Sequence, residues 1–152
     1  MKRRVFLSAN GALAVLVTLP TWAAIEPQRV VQVFKSATCG CCGKWVNHMK
    51  SAGFKVQVTD VADTTAARKR FGMPDRFGSC HTATIDGYAI EGHVPATEVK
   101  RLLDMKAKAI GLAVPGMPPS SPGMDVRGRS DPYNVLLIDV SGQSSVFASY
   151  PK

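Results

Sequence analysis

Little in this 152-residue chain suits it to nucleic acid or to a lasting place inside a membrane. Aromatic residues make up 7% of it, histidine occurs three times, and no internal repeat is present. Outside the N-terminus the only basic run is Arg68-Lys69-Arg70. It has no interleaved aromatics, which excludes a stripe that tracks a phosphate backbone, and it reads as the wet face of a short helix. The apolar run Ala12 to Leu19 is too short to span a bilayer as a permanent helix. It follows the positive residues Lys2-Arg3-Arg4 and precedes Thr21-Trp22-Ala23, a small-residue cleavage pattern. The expectation is a signal peptide over residues 1–23 and one mature domain over 24–152, with no stable membrane insertion after cleavage. Arg3-Arg4-Val5-Phe6-Leu7 also matches the core of a twin-arginine signal, but paired arginines are common in such regions and the Sec route is preferred. Losing Lys2, Arg3 and Arg4 and no acid takes the net charge from +8 to +5, a mild balance spread along the chain.

Four cysteines are present, and three of them fall in Cys39-Gly40-Cys41-Cys42. Cys39 and Cys42 have the C-x-x-C spacing of thiol–disulfide oxidoreductases. Cys41 is a third sulfur that two-sulfur redox chemistry does not need. In an exported protein four cysteines ordinarily mean two disulfides, yet adjacent Cys41 and Cys42 cannot easily bond to each other. A helix N-terminus favours thiolate, and three thiolates within one turn repel one another unless a cation is bound. Metal coordination removes that conflict, because a coordinating thiol is deprotonated outright.

The elements around the cysteines follow from periodicity. Val30 to Phe34 is a short apolar run suited to a buried strand. Trp45, Val46, Met49 and Ala52 recur at helical spacing, with Gly53 placed to stop the helix. Lys55 to Asp60 alternates as a second strand. Asp63 or Thr64 can cap a short helix to about Phe71, closed by Gly72 and Pro74. Thr82 to Ile85 and Tyr88 to Glu91 flank Asp86-Gly87, a strong hairpin signal. Pro95 precedes a helix that carries Val99, Leu102, Leu103 and Ile110 on one face. The order β-α-β-α-β-β-α is the α/β arrangement of thioredoxin-like folds, with active cysteines at the start of the first helix. Beyond this core, Val114 to Asp131 is a Pro/Gly/Ser-rich loop with Met117 and Met124. Tyr133 to Val140 and Ser145 to Tyr150 read as a C-terminal β-hairpin.

Further donors cluster in the second half of the core. Counting back from the Asp86-Gly87 turn, Cys80-His81 stands where a thioredoxin-like fold usually presents a cis-proline facing its cysteines. A fourth sulfur and an imidazole would then face the first three. His93, in Glu91-Gly92-His93-Val94-Pro95, lies near the end of the sheet, whereas His48 on the first helix reads as a surface residue. Met49 and Met105 are at core spacing and Met73 precedes a proline. Met117 and Met124, on a glycine-jointed loop, are suited to close over a soft-metal site. Thiolate with thioether selects Cu(I), whereas zinc is content with thiolate, imidazole and carboxylate.

Taken together, the cysteine motif, Trp45, Gly53-Phe54, Cys80-His81-Thr82, Gly87-Tyr88, Glu91-Gly92-His93-Val94-Pro95 and Pro115-Gly116-Met117-Pro118 with Ser121-Pro122-Gly123-Met124 resemble one family. It is the exported, cysteine-rich metal-binding family that includes the bacterial copper-resistance protein CopG. The resemblance runs from about Val30 to the C-terminus. It implies a thioredoxin-like fold, a periplasmic setting and a role in copper resistance, with several Cu(I) ions bridged by Cys39, Cys41, Cys42 and Cys80. His81, His93, Met117 and Met124 are the candidate completing ligands. Copper ions and other periplasmic copper-handling proteins are the implied partners. The family supplies no turnover mechanism. Two other classes stay open: a thiol or copper oxidoreductase with Cys39 as attacking and Cys42 as resolving thiol, and a disulfide-stapled interaction module.

Overall fold

A computed structural model describes residues 29–124 and 126–151, so the expected signal peptide lies outside the described residues. The chain forms strand β1 (Val30–Lys35), helix α1 (Gly40–Ser51), β2 (Lys55–Asp60) and α2 (Thr65–Arg70). A single 3-10 turn (Asp75–Phe77) leads to β3 (His81–Ile85) and β4 (Tyr88–Glu91), then α3 (Ala96–Met105) and β5 (Ala109–Ala113). A long loop precedes β6 (Tyr133–Asp139) and β7 (Ser144–Tyr150). The result is a mixed α/β fold on one seven-stranded sheet in the order β2-β1-β3-β4-β5-β6-β7.

Strands β1 and β2 are parallel, as the helix between them requires, and β3 runs antiparallel to β1. Asp86 and Gly87 both have positive φ (48° and 85°), the conformation a tight two-residue hairpin demands, and they join β3 to β4. Helix α3 then crosses over to β5, which lies parallel to β4. Trp45, Val46 and Met49 of α1 and Val99, Leu102 and Leu103 of α3 pack with Val31, Val33, Ile90 and Leu112 in one core cluster. A smaller cluster of Met73, Phe77, Ala89, Ala113 and Ile138 separates from it, and the period-two alternation of Ala89 and Ile90, or Leu112 and Ala113, divides each strand between the two.

Three local expectations are corrected. Ile110 does not continue α3: the helix stops at Met105, Lys106 turns left-handed (φ 48°), and Ile110 enters β5. This strand pairs so closely with β4 that a Cβ at position 111 would stand 1.7 Å from the Ala89 carbonyl oxygen, so glycine is required there. Arg68 is no wet-face residue, because it turns inward and is 7% exposed. His48 is half-buried rather than a surface residue, and its Nε2 accepts the Ala96 amide at 3.0 Å, capping the first turn of α3. Among the described residues no helix is long and apolar enough to cross a membrane.

Candidate metal centre

The sheet topology brings one group of loops to one end. Lys35 at the end of β1 stands opposite His81 at the start of β3, Thr82 opposite Glu91 at the end of β4, and Glu91 beside Ala113 at the end of β5. The loops after β1, before β3, after β4 and after β5 therefore open on the same side. Cys39 occupies the N-cap of α1, with Cys41 and Cys42 in its first turn. The ligand atoms of Cys39, Cys41, Cys42 and Cys80 all lie within 4.8 Å of one another. Those of Cys80, His81 and His93 do as well, so Cys80 belongs to both groups.

Two of the four sulfurs are joined: Cys39 and Cys42 form a disulfide, while Cys41 and Cys80 are free thiols. Cys41 Sγ stands 3.6 Å from Cys39 Sγ. Cys80 Sγ stands 3.0 Å from His93 Nε2 and 3.4 Å from His81 Nδ1. The His93 ring is oriented from its other side, where Nδ1 lies 2.8 Å from the Pro122 carbonyl oxygen. A carbonyl only accepts, so Nδ1 carries the proton and Nε2 presents its lone pair to Cys80. A carbonyl on the far nitrogen is the usual support of a metal-ligating histidine.

Electrostatics favour neutral groups while the site holds no cation. Burial, with a smaller contribution from Cys41, pushes the Cys80 thiol up to about 12. Its proton is thus available to donate to His93 Nε2. Burial first, then the neighbouring His93, lowers His81 to about 3. His81 is fully buried, its ring centroid 4.4 Å from that of Trp45, and its Nε2 has no hydrogen-bond partner among the described residues. Trp45 Nε1 donates to the Val94 carbonyl at 2.8 Å, which pins α1 to the loop carrying His93.

The Met-containing loop lies against this group. Gly116 accepts a hydrogen bond from the Ser79 hydroxyl, and Pro122 holds His93. Gly123 rests on α1: a Cβ there would stand 2.7 Å from the Trp45 amide nitrogen and 3.0 Å from the Cys41 carbonyl oxygen. Met124 is half-buried, and Met117 is 53% exposed. The six cysteine and histidine candidates thus converge, while Met117 and Met124 ride on a segment tied to the same site through Ser79, His93 and α1. Sequence reasoning missed the Pro122 carbonyl and the inward pair Arg68 and Glu91. A glutamate ending an otherwise apolar Tyr-Ala-Ile strand was the available signal for the latter.

Fold and site together define a mixed α/β protein that gathers cysteine and histidine donors among the loops at one end of its sheet. A family model described as "Protein of unknown function, DUF411" matches residues 77–124, the segment containing Cys80, His81, His93, Met117 and Met124. No curated protein matches the chain. Among solved structures, "Copper resistance protein copG", form 2, is 46% identical with a TM-score of 0.78, and covers 82% of this chain and 100% of its own. Form 1 of that protein is 45% identical, also at 0.78, with 83% and 100% covered. The chain belongs to the family of the copper resistance protein CopG.

Proposed function

We propose that this chain is an exported, periplasmic protein of copper resistance that binds several Cu(I) ions through bridging Cys39, Cys41, Cys42 and Cys80. The observation that carries this reading is the convergence of four cysteine sulfurs within 4.8 Å, with two imidazoles against one of them. Four thiolates bring four negative charges, which several monovalent copper ions neutralise by sharing sulfurs and one Zn(II) does not. Soft sulfur donors favour Cu(I), and the donor set fits it. His81 and His93 complete the coordination from the Cys80 side, and Met117 and Met124 from the loop. The frame is thioredoxin-like: a parallel β1-α1-β2 unit, β3 antiparallel to β1, and cysteines at the start of α1 support that assignment. The related solved structures are of a copper resistance protein, and the N-terminal pattern of residues 1–23 supports export by the Sec route. Copper ions, and other periplasmic proteins that handle them, are the partners this role calls for.

Loading begins with reduction. An external dithiol supplies the two electrons and two protons that convert the Cys39–Cys42 disulfide to two thiols and is itself oxidised to a disulfide. Each thiol that takes Cu(I) then releases its proton. The test is elemental analysis of anaerobically reduced protein after competition between Cu(I) and zinc. More than one copper per chain is expected, and one tightly held zinc remaining under excess Cu(I) would refute the reading.

The disulfide itself favours a second reading, a thiol or copper oxidoreductase in which Cys39 attacks and Cys42 resolves. Cys41 separates the two. Cys41→Ser removes a bridging sulfur but no part of the C-x-x-C pair, so it should lose copper or change its stoichiometry. Parental copper binding by Cys41→Ser, with turnover of disulfides, would install the oxidoreductase in place of the copper store.

A further inference from the structure

Behind the site lies a buried ion pair. Arg68 of α2 and Glu91 of β4 are 7% and 0% exposed, and Arg68 Nε donates to Glu91 Oε1 at 3.0 Å. Desolvating two charges largely cancels their attraction, so a buried pair is weak evidence for stability. What this pair holds is Ser79. The Ser79 amide donates to Glu91 Oε1 at 2.7 Å, and the Ser79 carbonyl accepts Arg68 Nη2 at 3.2 Å. Both sides of the residue before Cys80 are therefore fixed by the two partners of one ion pair.

The pair is anchored in turn. Thr82 Oγ1 donates to Glu91 Oε2 at 2.7 Å, and Arg68 also reaches Thr64 Oγ1 at 3.3 Å and Asp75 Oδ1 at 3.6 Å. Burial raises the Glu91 pKa, against the opposing pull of Thr82, Ser79 and Arg68. The Ser79 hydroxyl extends the clamp to Gly116 of the Met-containing loop. Glu91 also stands two residues before His93 on the same segment.

We propose that the Arg68–Glu91 ion pair is the positioning device for Cys80: by gripping the Ser79 backbone from both sides it sets the Cys80 sulfur among the three cysteines of α1 and against His93. Neither residue touches the metal in this scheme; both act through Ser79. The copper-dependent part of the idea rests on the proposed function, whereas the placement of the thiol does not.

The test uses the full exported chain with two variants, Arg68→Met combined with Glu91→Gln, and Arg68→Lys alone. The first removes both charges together and leaves none stranded. Alkylation of metal-free protein by iodoacetamide is followed separately at Cys80 and Cys41 by peptide mass, and release of Cu(I) to a bicinchoninate chelator is timed. In the double variant Cys80 should alkylate faster while Cys41 keeps its parental rate, and copper should leave about ten- to a hundredfold faster, the usual cost of losing support behind a ligand. Arg68→Lys keeps the charge but not the fork that reaches Glu91 and Ser79 together, and should fall between. Parental Cys80 alkylation in both variants overturns the proposal, and so does an equal rise at Cys41 and Cys80, which marks general loosening. If the double variant does not fold, Arg68→Lys decides by the same comparison. A parent that binds no copper would sink the copper reading while the alkylation result still decides on the clamp.

Discussion

Acid should destabilise the metal-free protein through His81, and the size of the effect follows from that ring's surroundings. His81 is fully buried beside Trp45 and His93, with Lys35 adding further repulsion, and its pKa is lowered to about 3 from the ordinary 6.5. The unfolded chain takes up a proton as pH falls through 6.5, and the folded chain does not until near 3. Between these limits the unfolded state holds more protons, so stability is present in full above 6.5 and is lost as pH falls. At about 1.4 kcal/mol per pH unit, the loss from His81 is about 2 kcal/mol by pH 5. For a domain of this size that corresponds to a drop of roughly 5–10 °C in Tm. The assay is thermal unfolding of the metal-free, disulfide-intact protein between pH 7.5 and 5, beside His81→Phe, which keeps a ring against Trp45 and removes the titrating group. The variant's Tm should fall less steeply with acid, by about the slope of one proton. An identical pH slope in parent and variant would show that His81 is not held neutral, and the argument from its burial would fail.

Cys80→Ser should weaken copper retention as severely as losing a cysteine of α1, since Cys80 belongs to both donor groups; chelator competition measures it, and normal uptake would count against the site. Met117→Leu and Met124→Leu keep apolar volume and should leave the fold intact while speeding copper release, each less than a lost cysteine does. Parental release from both variants and from their double variant would reduce these methionines to hydrophobic cover. Gly123→Ala should displace the loop from α1, because its φ is +88° and a Cβ would meet the Trp45 amide. That change should cost about 1–2 kcal/mol in the left-handed backbone alone, read by chemical denaturation, and an unchanged midpoint would show the loop free to lift.

Legibility in the sequence followed the range of the interaction. Strand β1, helix α1, the Asp86-Gly87 hairpin and the C-terminal hairpin carry their signals within a few residues, and each occurs near its expected bounds. Strand β5 was hidden because Ala-Ile-Gly-Leu-Ala is short and Ile110 happens to fall at helical spacing after Val99 and Leu103. The stop at Lys106 carries no glycine to announce it. Arg68 reads as solvated because its run is basic, yet its environment is decided by Glu91, 23 residues away. His48 reads as a surface residue for the same reason, since its partner Ala96 lies 48 residues on. The convergence of Cys80 with the α1 cysteines was legible only through topology, by counting from a turn of known geometry. The Pro122 carbonyl behind His93 left no trace in residue type, because any residue has a carbonyl.

Cys42 and Cys80 are separated by 38 residues along the chain although their segments meet at the sheet end. Any ion gripping sulfurs from both segments therefore closes a long loop, as a covalent cross-link would. By the chain-entropy estimate, tying a loop of about forty residues removes roughly 4 kcal/mol of freedom from the unfolded chain. On the proposed function copper would then act as a staple as well as a ligand: the filled protein should resist unfolding and proteolysis better than the metal-free form.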